Sequence, residues 1–132
     1  NTIQGAAKIY DTRAGNDTDF PSELHDDIEL TTIGKAGREI GTTTGRTRTV
    51  NWLNMDKLIK SINMTGSTVI IISKVDILRE VNLFKLIHNN SIVPFDTLTD
   101  MTNYITSSLQ QNCKFVKQIV FSDSPEHLAI PN

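Results

Sequence analysis

Apolar residues recur along the chain at spacings that switch several times between strand-like and helix-like. Ala6 to Thr12 reads as a strand, and Ala14 to Pro21, rich in Gly, Asn and Asp, as a loop. Ser22 with Glu23 and Leu24 opens a short helical turn on a thin apolar pattern. From Thr31 to Thr49 the chain is rich in Gly, Thr and Arg and has little to bury, which predicts a long surface or binding loop. Asn54 then supplies an N-cap for a helix on which Leu58, Ile59 and Ile62 share a face, and Gly66 ends it. Ser67 to Ser73 is a strand built around Val69-Ile70-Ile71-Ile72. Such a continuous branched run implies burial on both faces, the habit of a central strand in a helix-covered sheet. Asn82 to His88 is another candidate strand. Asp96 caps a longer helix carrying Leu98, Met101, Ile105 and Leu109 at helical spacing. Phe115 to Phe121, alternating apolar and polar, is the last strand. Helices alternating with strands make this an α/β chain, with no repeat or low-complexity segment.

Composition adds bounds to this picture. The 132 residues are one domain's worth, and 38% hydrophobic with 21% charged residues describes an ordinary globular chain. A net charge of -2 gives no footprint for nucleic acid or an anionic membrane. The longest apolar run suits a strand and falls far short of a membrane span. A single cysteine, Cys113, excludes an internal disulfide framework and fits a reducing, cytoplasmic compartment. Asn16-Asp17-Thr18, Asn63-Met64-Thr65 and Asn89-Asn90-Ser91 match the glycosylation acceptor pattern, but without a secretory signal they read as chance matches. The chain opens on Asn1-Thr2-Ile3-Gln4 with no initiator Met, in keeping with a piece of something longer.

Two positions carry candidate chemistry. In Gly41-Thr42-Thr43-Thr44-Gly45-Arg46-Thr47-Arg48 the threonines offer hydroxyls and backbone N–H groups, and the glycines allow close approach of a ligand. Arg46 and Arg48 add forked donors suited to carboxylate or phosphate oxygens. Residue chemistry alone leaves two readings open, a holder of a small polyanion and a solvated loop with two surface arginines. The second position is Ser73-Lys74-Val75-Asp76, directly after the buried strand, where open α/β sheets bind ligands. An ionised Asp76 only accepts hydrogen bonds. It therefore matches the N1–H and exocyclic amino group on one edge of guanine and is mismatched to the acceptor at adenine N1. Lys74 can lay its aliphatic stem against a base while its ammonium stays wet. The bland alternative is a lysine and an aspartate in a strand-to-turn junction.

Taken together, these residues resemble the adenylosuccinate synthetases. That family carries a Gly-x-Thr-Thr-Gly-Arg-x-Arg loop, then a Trp, a helix, a buried strand and a Lys-x-Asp. Here the same order runs from Gly41 to Arg48, then Trp52, then Lys74-Val75-Asp76. Tyr10-Asp11-Thr12-Arg13-Ala14-Gly15 and Phe20-Pro21-Ser22-Glu23-Leu24 are similar to the family's Tyr-x-Thr-Arg-Val-Gly and Phe-Pro-Thr-Glu-Leu. Asn103-Tyr104-Ile105 is similar to its Asn-Tyr-Ile helix, and Ser122-Asp123-Ser124-Pro125 falls where it has Ser-Thr-Gly-Pro.

The resemblance implies a fold and a division of labour. Residues 1–132 would be the C-terminal part of a helix-covered, mostly parallel central sheet of the adenylosuccinate synthetase type, with an aspartate loop at 37–49. Thr42, Thr43, Thr44, Gly45, Arg46, Thr47 and Arg48 would hold the substrate L-aspartate, with Arg46 also meeting the ribose of inosine monophosphate (IMP). Arg48 would lie nearer GTP, whose guanine would meet Lys74, Val75 and Asp76, with Ser122, Asp123 and Ser124 completing the pocket. The family reaction uses GTP to phosphorylate the purine 6-oxygen, which the aspartate amine then displaces, with Mg²⁺ bridging the phosphates. The phosphate-binding glycine loop and the catalytic aspartate and histidine belong to the family's N-terminal region, which also holds most of the metal contacts. This segment alone would thus be inert, with no catalytic residue or metal ligand of its own. His25 and His127 read as exposed, His88 as packed or at an edge, and Cys113 as a buried thiol. Partners would be small molecules and, in the full-length protein, a second copy of the chain.

Departures from the family pattern are also visible. Thr49 stands where another basic residue is usual, Asp123-Ser124 replaces Thr-Gly, and the stretch from Val81 to Thr97 is short. These suit a compact, divergent branch such as a viral one. Two alternatives stay open: a phage-type synthetase acting on (d)GMP, and a non-catalytic guanine-nucleotide-binding domain.

Overall fold

The computed structural model describes residues 2–13, 24, 26–39 and 48–124. Strand β1 (Gln4–Lys8) and strand β2 (Tyr10–Arg13) are followed by helix α1 (Ile28–Ala36), strand β3 (Thr49–Asn54), helix α2 (Met55–Thr65) and strand β4 (Val69–Ser73). The rest runs through helix α3 (Val75–Val81), strands β5 (Lys85–His88) and β6 (Ser91–Pro94), helix α4 (Leu98–Asn112) and strand β7 (Gln118–Phe121). β4 lies between β1 and β7 in an all-parallel sheet. A second sheet, ordered β2-β3-β5-β6, is mixed, with β3 and β5 parallel and both outer pairs antiparallel. The α/β class expected from the sequence is the observed one, and β4 takes the central position. Ile70 and Ile72 are its fully buried residues, while Val69 and Ile71 on the other side are half-covered.

The expected strand Ala6 to Thr12 is in fact two. The chain bends at Ile9, whose N–H donates to the Ser73 carbonyl and whose side chain is buried, and this bend passes it from one sheet to the other. The expected loop from Thr31 to Thr49 is overturned on both sides. Asp27 accepts from the Leu30 N–H to cap α1, and Leu30 and Ile33 anchor one face, so a threonine-rich helix forms on only two buried apolar side chains. At the far end Thr49 begins β3, whose two-sided burial hides the alternation that marks a strand.

Helix α2 follows the sequence reading at both ends. The Asn54 side chain accepts from the Lys57 N–H, and Gly66 closes the helix at a left-handed φ of 67°, where a side chain would be strained. In α4 the buried positions Met101, Ile105 and Leu109 match expectation, but Thr97 rather than Asp96 is the cap. The last strand starts at Gln118, leaving Phe115 exposed in a turn. β5 starts at Lys85, because Asn82 takes a left-handed conformation to end α3. β6 is paired to β5 through Asn89-Asn90, two successive left-handed residues that suit a tight hairpin. The Ala14–Pro21 loop, the Ser22-Glu23 turn, His25 and His127 lie outside the described residues.

Candidate functional site

The carboxyl end of β4 leads straight into Lys74, a non-glycine residue held at φ 65°, and then into α3. The left-handed step at Lys74 turns the chain sharply, and Val75 and Asp76 follow in the first helical turn. Val75 is a core residue whose N–H donates to the Ser122 carbonyl at 3.1 Å. Asp76 is only 8% exposed and accepts the Ser124 N–H at 2.6 Å. Ser122 donates in turn to the Ile72 carbonyl at 2.8 Å, so the chain beyond β7 crosses the top of β4 and lies against Asp76. Residues 74–76 and 122–124, far apart in sequence, are thus brought together. The charge on Asp123 faces Arg79 at 3.5 Å on the surface.

Lys74 departs from its expected posture. Its ammonium is not wet: it sits 3.2 Å from Glu39 Oε2 and 3.5 Å from the Gly37 carbonyl, with the side chain only 14% exposed. Glu39 is a site residue that sequence reasoning missed. Almost wholly buried, it accepts a 2.6 Å hydrogen bond from the Tyr10 hydroxyl on Oε2 and lies 3.5 Å from both Lys8 Nζ and Arg48 Nη1 on Oε1. Gly37 leaves room for this arrangement, since a Cβ there would lie 2.2 Å from the Tyr10 hydroxyl oxygen. The one signal in the sequence is an acidic residue two positions before the Gly-, Thr- and Arg-rich stretch that starts at Gly41.

Electrostatics follow from this gathering. Burial pushes the Glu39 carboxyl up, but the Tyr10 hydroxyl and the ammonium groups of Lys8 and Lys74 outweigh it and hold it below the ordinary carboxylate range. Among the described residues three cations face this one carboxylate. The Lys8 and Arg48 side chains are 33% and 43% exposed, which leaves donors of both open to an anion. The Arg48 N–H also donates to the Glu39 carbonyl at 2.8 Å, joining the two residues that flank 40–47. Thr42, Thr43, Thr44, Gly45, Arg46 and Thr47 themselves lie outside the described residues. Trp52 is a buried β3 residue with the Lys85 ammonium 5.6 Å from its ring centroid. Lys8 and Tyr10 also line a cleft of about 330 Å³ with Asp11, Arg13 and Lys57.

No three His, Cys, Asp or Glu side chains converge among the described residues. Glu39 is saturated by cations, so these residues do not fit a magnesium ion. No helix among them is long and apolar enough to cross a membrane. His88 Nδ1 pairs with the Tyr104 hydroxyl at 2.5 Å, and Cys113 is a buried, free thiol at the end of α4.

A family model described as adenylosuccinate synthetase matches residues 1–118. The chain belongs to the adenylosuccinate synthetase family. Among curated adenylosuccinate synthetases, that of Methanococcoides burtonii is 37% identical over 84 residues, covering 64% of this chain and 19% of the relative. That of Phytophthora infestans is 40% identical over 86 residues, covering 65% of this chain and 15% of the relative. That of Francisella philomiragia is 43% identical over 84 residues, with coverages of 64% and 19%. The chain therefore spans between 15% and 19% of the length of these curated relatives. A solved structure of fully ligated adenylosuccinate synthetase from Plasmodium falciparum shares the fold. It superposes with a TM-score of 0.63 at 16% identity, covering 95% of this chain and 38% of that one. Adenylosuccinate synthetases are ligases acting on small molecules, which suits a site of polar and charged groups at the carboxyl end of a central strand.

Proposed function

We propose that residues 1–132 form the substrate-holding C-terminal segment of a ligase that joins L-aspartate to IMP with GTP, giving adenylosuccinate. What supports this reading most is the meeting of Asp76, at the end of the central strand, with the segment 122–124. The Ser124 N–H fixes the direction of the carboxylate, an acceptor-only group matched to the N1–H and amino group of guanine. Lys74 lies in the same turn. Residues 42–48 would hold aspartate, with Arg46 also at IMP and Arg48 toward GTP. Binding and orientation are the chain's contribution to rate, because a positioned phosphoryl group and amine need little covalent help. Mg²⁺, the phosphate loop and the proton-transfer groups are assigned to the rest of a full-length enzyme, which we take to be a cytoplasmic homodimer.

The test is direct. Intact protein given IMP, L-aspartate and GTP is expected to form adenylosuccinate, whereas residues 1–132 alone are expected to form none. The coding sequence upstream should read, in frame, through a glycine-rich phosphate loop. A stop codon or an unrelated domain there, with GTP bound but no ligation, would replace this reading by the non-catalytic guanine-nucleotide-binding domain. Turnover with (d)GMP and not IMP would make it the phage-type synthetase.

A further inference from the structure

The turn that carries Asp76 begins at a residue poorly suited to it. Lys74 stands at the N-cap of α3 with a left-handed φ of 65°, and its side chain makes no capping hydrogen bond. Helix starts favour Ser, Thr, Asp, Asn or Gly there, and left-handed backbone is disfavoured for any residue with a bulky side chain. Local sequence therefore works against this turn, and contacts from elsewhere have to hold it. On the Asp76 side they include the Ser124 N–H on the carboxylate and the Val75 N–H on the Ser122 carbonyl. On the Lys74 side they include the Glu39 carboxylate at 3.2 Å and the Gly37 carbonyl at 3.5 Å. Glu39 is a firm anchor. It is buried, and the oxygen that meets Lys74 also takes the Tyr10 hydroxyl at 2.6 Å, which ties the turn after β4 to β2 of the other sheet.

We propose that Glu39 is a positioning residue for guanine recognition, holding Lys74 in its left-handed turn so that the Asp76 carboxylate keeps its direction. At 1% exposure Glu39 is too buried to touch a nucleotide itself. It acts through the Lys74 ammonium, and a charge-assisted bond in a water-poor setting is stiffer than an exposed ion pair. Asp76 lies two residues further on, so a turn that relaxes at Lys74 swings the carboxylate off the line set by Ser124. What is lost then is discrimination between bases rather than grip on the phosphates, because an edge is read by hydrogen-bond direction.

This role rests on the reading of 74–76 as the guanine site under Proposed function. It is tested by measuring the dissociation constants of GDP and ADP on intact protein and following their ratio, which cancels any contact to the shared diphosphate. In Glu39→Gln the preference for GDP is expected to fall about 10-fold or more, the low end for one hydrogen bond to a charged group. Lys74→Gly removes the ammonium and makes the left-handed step easy, so in that background Glu39→Gln should leave the ratio unchanged. A merely structural Glu39 would weaken GDP and ADP together and keep the ratio, which overturns the proposal. An equal fall in both backgrounds overturns it too, because Glu39 would then act by a route other than Lys74. Where Glu39→Gln does not fold, Lys74→Met keeps the aliphatic stem, loses only the ammonium and should lower the ratio to a similar extent. An unchanged ratio there is equally fatal. Failure of the underlying site reading looks different: the ratio would then be indifferent to Asp76→Asn.

Discussion

Asparagine in place of Asp76 is expected to lower kcat/KM for GTP about 100-fold or more in the intact protein, since two hydrogen bonds to a charged group are lost or reversed. The carboxamide is the same size, and its oxygen can still take the Ser124 N–H that Asp76 takes at 2.6 Å, so the turn above β4 should survive. What changes is the second oxygen, which becomes an NH₂ group. A carboxylate accepts both guanine donors; asparagine offers an NH₂ where guanine also donates, which leaves two donors facing each other. Adenine, with its acceptor at N1, is no worse served by asparagine than by aspartate. The loss with ATP should therefore be far smaller than the loss with GTP. Steady-state kcat/KM for both nucleotides checks this, and equal losses would count against Asp76 as the reader of guanine.

The second large effect concerns stability. Glu39→Gln is expected to cost about 3 kcal/mol at neutral pH, the low end of the range for breaking a buried ion pair. It falls at the low end because Lys8 and Arg48 are partly exposed and can turn to water, leaving Lys74 as the buried cation without its anion. The sign of the pH dependence follows from the lowered Glu39 pKa. A carboxyl whose folded value is depressed contributes stability that is fully present above its ordinary value of 4.5. That contribution is lost as pH falls from there through the depressed folded value. Denaturant midpoints of the two proteins should thus be well separated at pH 7 and converge in strong acid. A separation that persists unchanged below pH 4.5 would mean the carboxylate charge is not what stabilises the site.

How much of this was legible beforehand depended on whether the information was local. Helix α2 could be bounded at both ends because Asn54 and Gly66 act through their own backbone neighbours. β4 announced itself as central because a run of four branched apolar residues has no other comfortable home. Helix α1 hid among threonines, since only Leu30 and Ile33 are buried along it and its cap, Asp27, lies before the polar stretch begins. β3 hid because its buried residues do not alternate. The same division holds at the site. Asp76 could be singled out from its place after a buried strand. Glu39 could not, because its importance arises from Lys8, Tyr10, Arg48 and Lys74 converging on it only once both sheets have formed. The wet ammonium expected of Lys74 failed for the same reason.

The most direct measurement is a crystal structure of the intact protein with GDP, IMP and L-aspartate. The site described here predicts guanine with its N1–H and amino group on Asp76 beside residues 122–124, and the aspartate carboxylates among residues 42–48. It also predicts that Glu39 still bridges Arg48 and Lys74. Guanine bound away from Asp76, or aspartate held elsewhere than at 42–48, would contradict it.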